Sequence, residues 1–146
     1  MPIDAAYLLE TLKQSIRINS VVPVEEKLSE FIADELRGLG VEPKWHEIAP
    51  GRPNVYAMAD RGPADDILLL TGHLDTVDVA ANWETDPFTP VEKDGRLYGL
   101  GSFDMKSGLI QNCGYLDNVP VQHTRLRAVT DPARHRHQQI TFDRHL

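Results

Sequence analysis

Leu8, Leu9, Leu12 and Ile16 recur at helical spacing, and Asp4 stands where a carboxylate can accept from the free N–H groups of a first turn. Together they predict a helix from Asp4 to about Ile18, broken by the stretch from Ser20 to Pro23. Leu28, Phe31, Ile32, Leu36 and Leu39 form a second apolar stripe. It predicts a helix from about Val24 to Arg37, stopped by Gly38 and Gly40, with Glu25, Glu26 and Glu30 placed to favour the positive end of its dipole. Extended segments follow. Val41 to Ile48 reads as a strand, although Pro43 cannot donate to a ladder, and Asn54 to Ala59 reads as another. Asp66 to Thr71 holds the continuous apolar run Ile67-Leu68-Leu69-Leu70, the pattern of a strand buried on both faces. Val91 to Tyr98 predicts a hairpin turning at Asp94-Gly95. Asp104 or Ser107 opens a last helix to about Leu116. Helices mixed with a buried strand define an α/β layered domain. From residue 117 to 146 no clean period survives, and no element is predicted.

Composition narrows the class. A length of 146 residues suits one domain, and 41% hydrophobic with 25% charged residues is ordinary for a globular chain. A disordered acidic tail, a collagen-like chain and a coiled coil are excluded. The single cysteine, Cys113, excludes an intramolecular disulfide framework and a Cys-rich zinc finger. The longest apolar run is far short of the ~20 residues of a membrane span, so no membrane partner is expected. Met1-Pro2-Ile3-Asp4 does not start a basic stretch with an apolar core behind it, which makes the cytoplasm the expected compartment. A net charge of −7 argues against nucleic acid as the main partner. That charge is uneven: residues 1–110 hold 19 acids and 10 Lys+Arg, whereas residues 111–146 hold 3 acids, 5 Arg, no Lys and four of the six His.

Two clusters carry candidate chemistry. His73 and Asp75 are two apart at the carboxyl end of the apolar strand, so their side chains share a face where open α/β sheets place ligands. A neutral imidazole is a zinc ligand, and a nearby carboxylate fixes its tautomer, but for a lone His-x-Asp pair a solvated strand end is the simpler reading. The second cluster, Gly99-Leu100-Gly101-Ser102-Phe103-Asp104, lies 29 residues beyond Asp75. Its glycines permit a tight turn that aims Asp104 inward, and a carboxylate with two oxygens can bridge two metal ions. As a dinucleotide loop it fails, because Asp104 takes the place of the third glycine and repels pyrophosphate. Between the clusters, Trp83 and Phe88 either wall a substrate cleft or pin a surface loop.

Gly72-His73-Leu74-Asp75-Thr76, Trp83 with Asp86-Pro87-Phe88, Asp94-Gly95-Arg96-Leu97-Tyr98-Gly99 and Ser102-Phe103-Asp104-Met105-Lys106, in that order, resemble one family over residues 1 to about 110. It is the zinc-dependent deacylases and exopeptidases typified by acetylornithine deacetylase, succinyl-diaminopimelate desuccinylase, aminoacylase and glutamate carboxypeptidase. The resemblance implies the amino-terminal portion of a dinuclear-zinc catalytic domain, a mixed sheet with flanking helices, without the family's second, smaller domain. It implies His73 as a ligand of one zinc, Asp75 as the catalytic acid that orients His73, Asp104 as the carboxylate bridging both ions, and a cis peptide between Asp104 and Met105. Cobalt or manganese would suit the same ligands. The implied reaction is hydrolysis of an amide in an N-acyl amino acid or small peptide, with a glutamate taking the proton of the attacking water.

The pattern then departs from the family. A Glu-Glu pair, a further acidic ligand and a distal His are expected beyond the bridging Asp, yet no Glu follows Glu92, and Pro132-Ala133 stand after the echo Val129-Thr130-Asp131. Leu100 replaces a common Arg, and Ser107 a common Gly. Residues 111–146 are accordingly expected to be an out-of-frame or aberrant end, a genuinely basic segment being the alternative. His123, His135, His137 and His145 are candidate replacement ligands, although flexible histidines bind metal without forming a site. The family's activity would then be weak or absent in this chain, and a non-catalytic metal-binding or interaction module is the second reading. Loss of neighbours would also expose an apolar sheet edge and leave the chain marginally stable.

Overall fold

The computed structural model describes residues 4–60, 67–118, 125–127, 129–130 and 140–141. Helix α1 runs Ala5–Arg17, and Asp4 caps it as predicted, its Oδ1 accepting from the N–H groups of Ala6 at 2.9 Å and Tyr7 at 3.2 Å. Helix α2 runs Glu26–Gly38 and starts two residues later than its apolar stripe suggests. The reason is local. The Val24 N–H is spent in a turn on the Val21 carbonyl at 2.8 Å, and Glu25 becomes the cap whose carbonyl receives the N–H groups of Leu28 and Ser29. Leu28, Ile32 and Leu36 of α2 bury the predicted stripe, while Phe31 and Leu39 are half-buried at its margin.

Strands β1, Pro43–Ala49, and β2, Arg52–Asp60, pair antiparallel from Pro43 opposite Ala57 to Ala49 opposite Arg52. Pro43 is tolerated because it is the first residue of its strand. Along β2, Val55, Ala57 and Ala59 are buried while Met58 is exposed, and the buried set meets α2 to form the core. Each large aliphatic side chain enclosed there stabilises by about 1.5–3 kcal/mol. The sheet order is β1-β2-β6-β3, with β6, Arg125–Arg127, antiparallel to β2 and parallel to β3, Ile67–Leu68.

Two expectations are corrected here. The strand predicted over Asp66 to Thr71 shrinks to Ile67–Leu68, whose ladder with β6 ends at the pair Leu68–Leu126; Leu69 to Thr71 leave the ladder, and Asp66 lies outside the described residues. The stretch from 117 onward is not without elements, since β6 enters the sheet there and β7, Val129–Thr130, pairs with β8, Ile140–Thr141. Segments of two or three residues are too short to show a period and depend on their partners. The hairpin of β4, Val91–Lys93, and β5, Arg96–Tyr98, forms as predicted, with Asp94 at φ 52° and Gly95 at φ 71° making the tight turn. Helix α3, Ser107–Asn118, supplies Leu109, Ile110 and Leu116 to the core. A mixed sheet with helices packed on it is the expected α/β architecture, and no described helix is long and apolar enough to cross a membrane.

Candidate metal centre

Past β3 the chain runs extended into Gly72-His73-Leu74-Asp75-Thr76. Leu74 is fully buried and holds this segment down. Gly72 lets the segment approach closely: a Cβ there would meet Leu109 Cδ2 at 2.6 Å and Met105 Cε at 3.0 Å, and those side-chain ends would have to shift. Asn112 of α3 donates to the Thr71 carbonyl at 3.1 Å, and the Thr76 N–H donates to the Ser20 carbonyl at 2.9 Å. The segment is therefore fixed to α3 on one side and to the loop after α1 on the other.

The opposing half is the turn Ser102–Lys106. Gly101 enters it at φ +75°, and Asp104 (φ −120°, ψ 98°) and Met105 (φ −136°, ψ 37°) leave helical geometry, which turns the Asp104 carboxylate away from α3. The Asp104–Met105 peptide is cis, as the resemblance implies. Lys106 anchors the turn. Only 1% exposed, its Nζ donates to the carbonyls of Ser15 and Ile18, both at 2.8 Å, where α1 ends. Burial pushes its ammonium down to about 8, while the carbonyl end of a helix is a favourable place for a cation. The sequence reading passed over Lys106 except as part of a motif; a lone Lys inside a glycine-rich apolar stretch was the available signal.

The two halves bring His73 and Asp104 together. His73 Nε2 is 2.8 Å from Asp104 Oδ1, and His73 Nδ1 is 2.9 Å from the Asp75 carbonyl and 3.3 Å from Asp75 Oδ1. Asp75 is buried, whereas the Asp104 side chain is 78% exposed. The His73 imidazole is raised to about 9, chiefly by the Asp75 carboxylate and further by Asp104, with burial opposing both. Asp75 thus faces one ring nitrogen and Asp104 the other. These residues line a cleft of about 230 Å³ with Thr76, Val77, Ser102 and Phe103.

The donors fit a zinc ion in kind. Asp75 occupies Nδ1 and leaves Nε2 as the outward ligand nitrogen beside a carboxylate oxygen, and nitrogen with oxygen is a set zinc accepts. Two donors on one tetrahedral zinc stand ~3.3 Å apart, so the pair would open by about half an ångström. Among the described residues no group of three or more His, Cys, Asp or Glu is placed to hold a metal ion. The tail histidines lie outside the described residues. Trp83 is not part of this cleft: with Asn82, Glu84, Thr85, Lys93 and Tyr98 it lines a separate one of about 450 Å³, and Phe88 lines neither.

Residues 69–129 match the model of Peptidase family M20/M25/M40. The succinyl-diaminopimelate desuccinylase of Nautilia profundicola is 37% identical over 102 residues, 70% of this chain and 27% of that protein. The acetylornithine deacetylase of Photorhabdus laumondii is 40% identical over 119 residues, 73% of this chain and 30% of that one. Human carnosine dipeptidase 1 shares the fold, with a TM-score of 0.61 at 23% identity over 82% of this chain and 31% of its own. The chain thus spans less than a third of the length of these relatives.

Proposed function

We propose that the cleft is part of a metal-dependent amide-hydrolase site whose substrates are N-acyl amino acids or small peptides. The observation that carries this reading is the 2.8 Å convergence of His73 Nε2 and Asp104 Oδ1, with Asp75 behind the imidazole, in a chain related to a desuccinylase and a deacetylase. His73 and Asp104 would hold the zinc, with Asp104 able to offer its second oxygen to another ion. When bound, the metal supplies Lewis-acid polarisation of the amide carbonyl and makes water a better nucleophile. Asp75 holds the His73 ring in one orientation and raises its basicity. With an ion bound, His73 would offer a neutral imidazole, its Nε2 free of a proton, as the ligand nitrogen. Lys106 keeps the turn in place, so that Asp104 Oδ1 stays within reach of His73.

Residues 105–146 include no Glu, so this stretch offers no glutamate as general base. This favours a second reading in which the chain, acting alone, binds metal without turnover. Zinc uptake by dialysis and elemental analysis tests the site: binding in the parent, lost in His73→Ala and weakened at least tenfold in Asp104→Asn, is expected. Equal uptake by all three would overturn the assignment. Release of acetate from N-acetylornithine by the zinc-loaded chain separates the hydrolase from the non-catalytic module.

A further inference from the structure

On the sequence alone Trp83 either walls a substrate cleft or pins a loop; in the structure it lines a cleft away from the metal centre. The two walls of that cleft follow from local structure. One is the β4–β5 hairpin. Val91 stands opposite Tyr98 in the ladder, and Lys93 is two residues from Val91, so the three side chains share one face. Glu92 takes the other face, where it pairs with Lys13 of α1 at 2.5 Å. The hairpin is thereby held against the rest of the protein by one face and offers the other to the cleft. The second wall is the loop carrying Trp83 and Glu84. The Asp86 carboxylate fastens it, accepting from the Phe88 N–H at 2.9 Å and the Thr89 hydroxyl at 2.8 Å, and the Leu100 N–H donates to the Pro87 carbonyl at 2.7 Å. This lining shares no residue with the metal cleft.

The enclosed space, about 450 Å³, falls within the ~300–1,000 Å³ of small-molecule sites. Trp83, half-buried, and Tyr98, 41% exposed, bring two aromatic rings to it. The charged residues of the lining are one of each sign, Lys93 from the hairpin and Glu84 from the loop. They do not meet each other, and among the described residues neither forms an ion pair. Single exposed charges are ordinary. An unmatched ammonium and an unmatched carboxylate on the two walls, beside two rings, complement a molecule that carries both charges and a ring. A ligand with only a negative charge would leave Glu84 unmatched and repelled, and one with only a positive charge would do the same to Lys93. At a solvent-open site each charge pair shifts an equilibrium by no more than about fivefold, so the charges select the ligand and the rings supply most of its binding.

We propose that this cleft binds a free α-amino acid with an aromatic side chain, its ring against Trp83 and Tyr98, its carboxylate toward Lys93 and its ammonium toward Glu84. The site is separate from the metal centre and stands or falls independently of the hydrolase reading.

The test is ligand-observed NMR on the full chain, titrating phenylalanine, alanine, phenylpropanoate and phenethylamine. Phenylalanine is expected to bind about tenfold more tightly than alanine, which lacks the ring, and about threefold more tightly than either analogue with a single charge. Tyr98→Ser should weaken phenylalanine about fivefold, and Tyr98→Phe should keep its affinity. Lys93→Met should remove the advantage of phenylalanine over phenethylamine, and Glu84→Gln its advantage over phenylpropanoate; a merely structural role would not move these two ratios separately. The substituted side chains are exposed, so the variants should fold like the parent, which urea midpoints check. Neither zinc nor His73→Ala should change the phenylalanine affinity. No binding of phenylalanine, equal binding of an analogue with a single charge, or ratios unmoved by the charge variants overturns the assignment. Loss of phenylalanine binding in His73→Ala would place it in the metal cleft, overturning this site and leaving the hydrolase reading standing.

Discussion

Lys106 and Cys113 are ionisable groups that the fold encloses, and they respond to it in opposite ways. Lys106 keeps two short hydrogen bonds to the end of α1, so Lys106→Met takes the donor from the Ile18 carbonyl and leaves the Ser15 carbonyl only its bond from the Ile18 N–H. Hydrogen bonds to a charged donor contribute about 1.5–3 kcal/mol each, offset here by no longer burying an ammonium, so a net loss of about 1–3 kcal/mol is expected in urea unfolding. An unchanged midpoint would mean that the buried charge costs as much as its bonds return. Cys113, 2% exposed, has its thiol pushed up to about 12 by burial and by the nearby Glu35 carboxylate. Tyr7, which donates to Glu35 at 2.5 Å, is held well above the usual phenol range by burial and that same carboxylate. Both groups lose a proton more easily when unfolded, so their contribution is complete below the unfolded values, near 8.5 for the thiol and 10 for the phenol, and is lost as pH rises toward the folded ones. Stability should therefore fall between about pH 9 and 12, less steeply in Cys113→Ala. At pH 8 a thiol reagent should label native Cys113 orders of magnitude more slowly than the urea-unfolded chain.

At the scale of elements, the start of α2 is tied to β2 by one ion pair. Glu25 has no exposed surface and accepts from Arg52 Nη2 at 2.9 Å and Nε at 3.2 Å, while the Arg52 side chain is 26% exposed. The asymmetry sets the order of effects. Arg52→Met strands a carboxylate away from water and should cost about 3–5 kcal/mol; Glu25→Gln leaves a guanidinium that reaches solvent and should cost less, about 1–2 kcal/mol. Chemical unfolding of the two variants checks the order, and the reverse order would show that the pair is better hydrated than its burial implies. This contact also marks a limit of sequence reading. Glu25 was readable as a helix-start acid, but its partner lies 27 residues away on a strand, and no local pattern pairs them. What periodicity revealed was whatever a single element decides for itself: the Asp4 cap, the Leu28-Ile32-Leu36 stripe, the Asp94-Gly95 turn. The strand from Asp66 is shorter than its pattern predicts because an apolar run shows burial but not where a ladder ends. For the site, spacing put His73 beside Asp75 and the glycines before Asp104 pointed to a tight turn, but only the motif order joined the two clusters, whose approach depends on Gly72, Lys106 and a turn no period describes.

Across the whole molecule, the proposed metal would act as a cross-link. His73 follows β3, the last strand of the sheet order, and Asp104 precedes α3, so an ion held by both closes a 31-residue loop across the two halves of the cleft. Without it, those halves already meet through the Asn112–Thr71 hydrogen bond, the packing of Gly72 on Leu109 and Met105, and the His73–Asp104 contact. An ion that binds only the folded chain adds RT ln(1 + [M]/Kd), about 2.7 kcal/mol at a hundredfold excess over Kd. For a chain of this size each kcal/mol raises the melting midpoint by about 2–4 °C, so zinc should raise it by about 5–10 °C. The six histidines also give the unfolded chain some affinity for zinc, which makes the upper figure a ceiling. A chelator should return the midpoint to its starting value, and His73→Ala should show almost no rise, because every histidine that remains is equally present in the parent. Hydrogen exchange locates the effect: zinc should slow amides around 73–76 and 102–106 more than those of β1. Equal stabilisation of the parent and His73→Ala would place the binding elsewhere, and uniform protection would mean that the ion supports the fold without joining the two halves of the cleft.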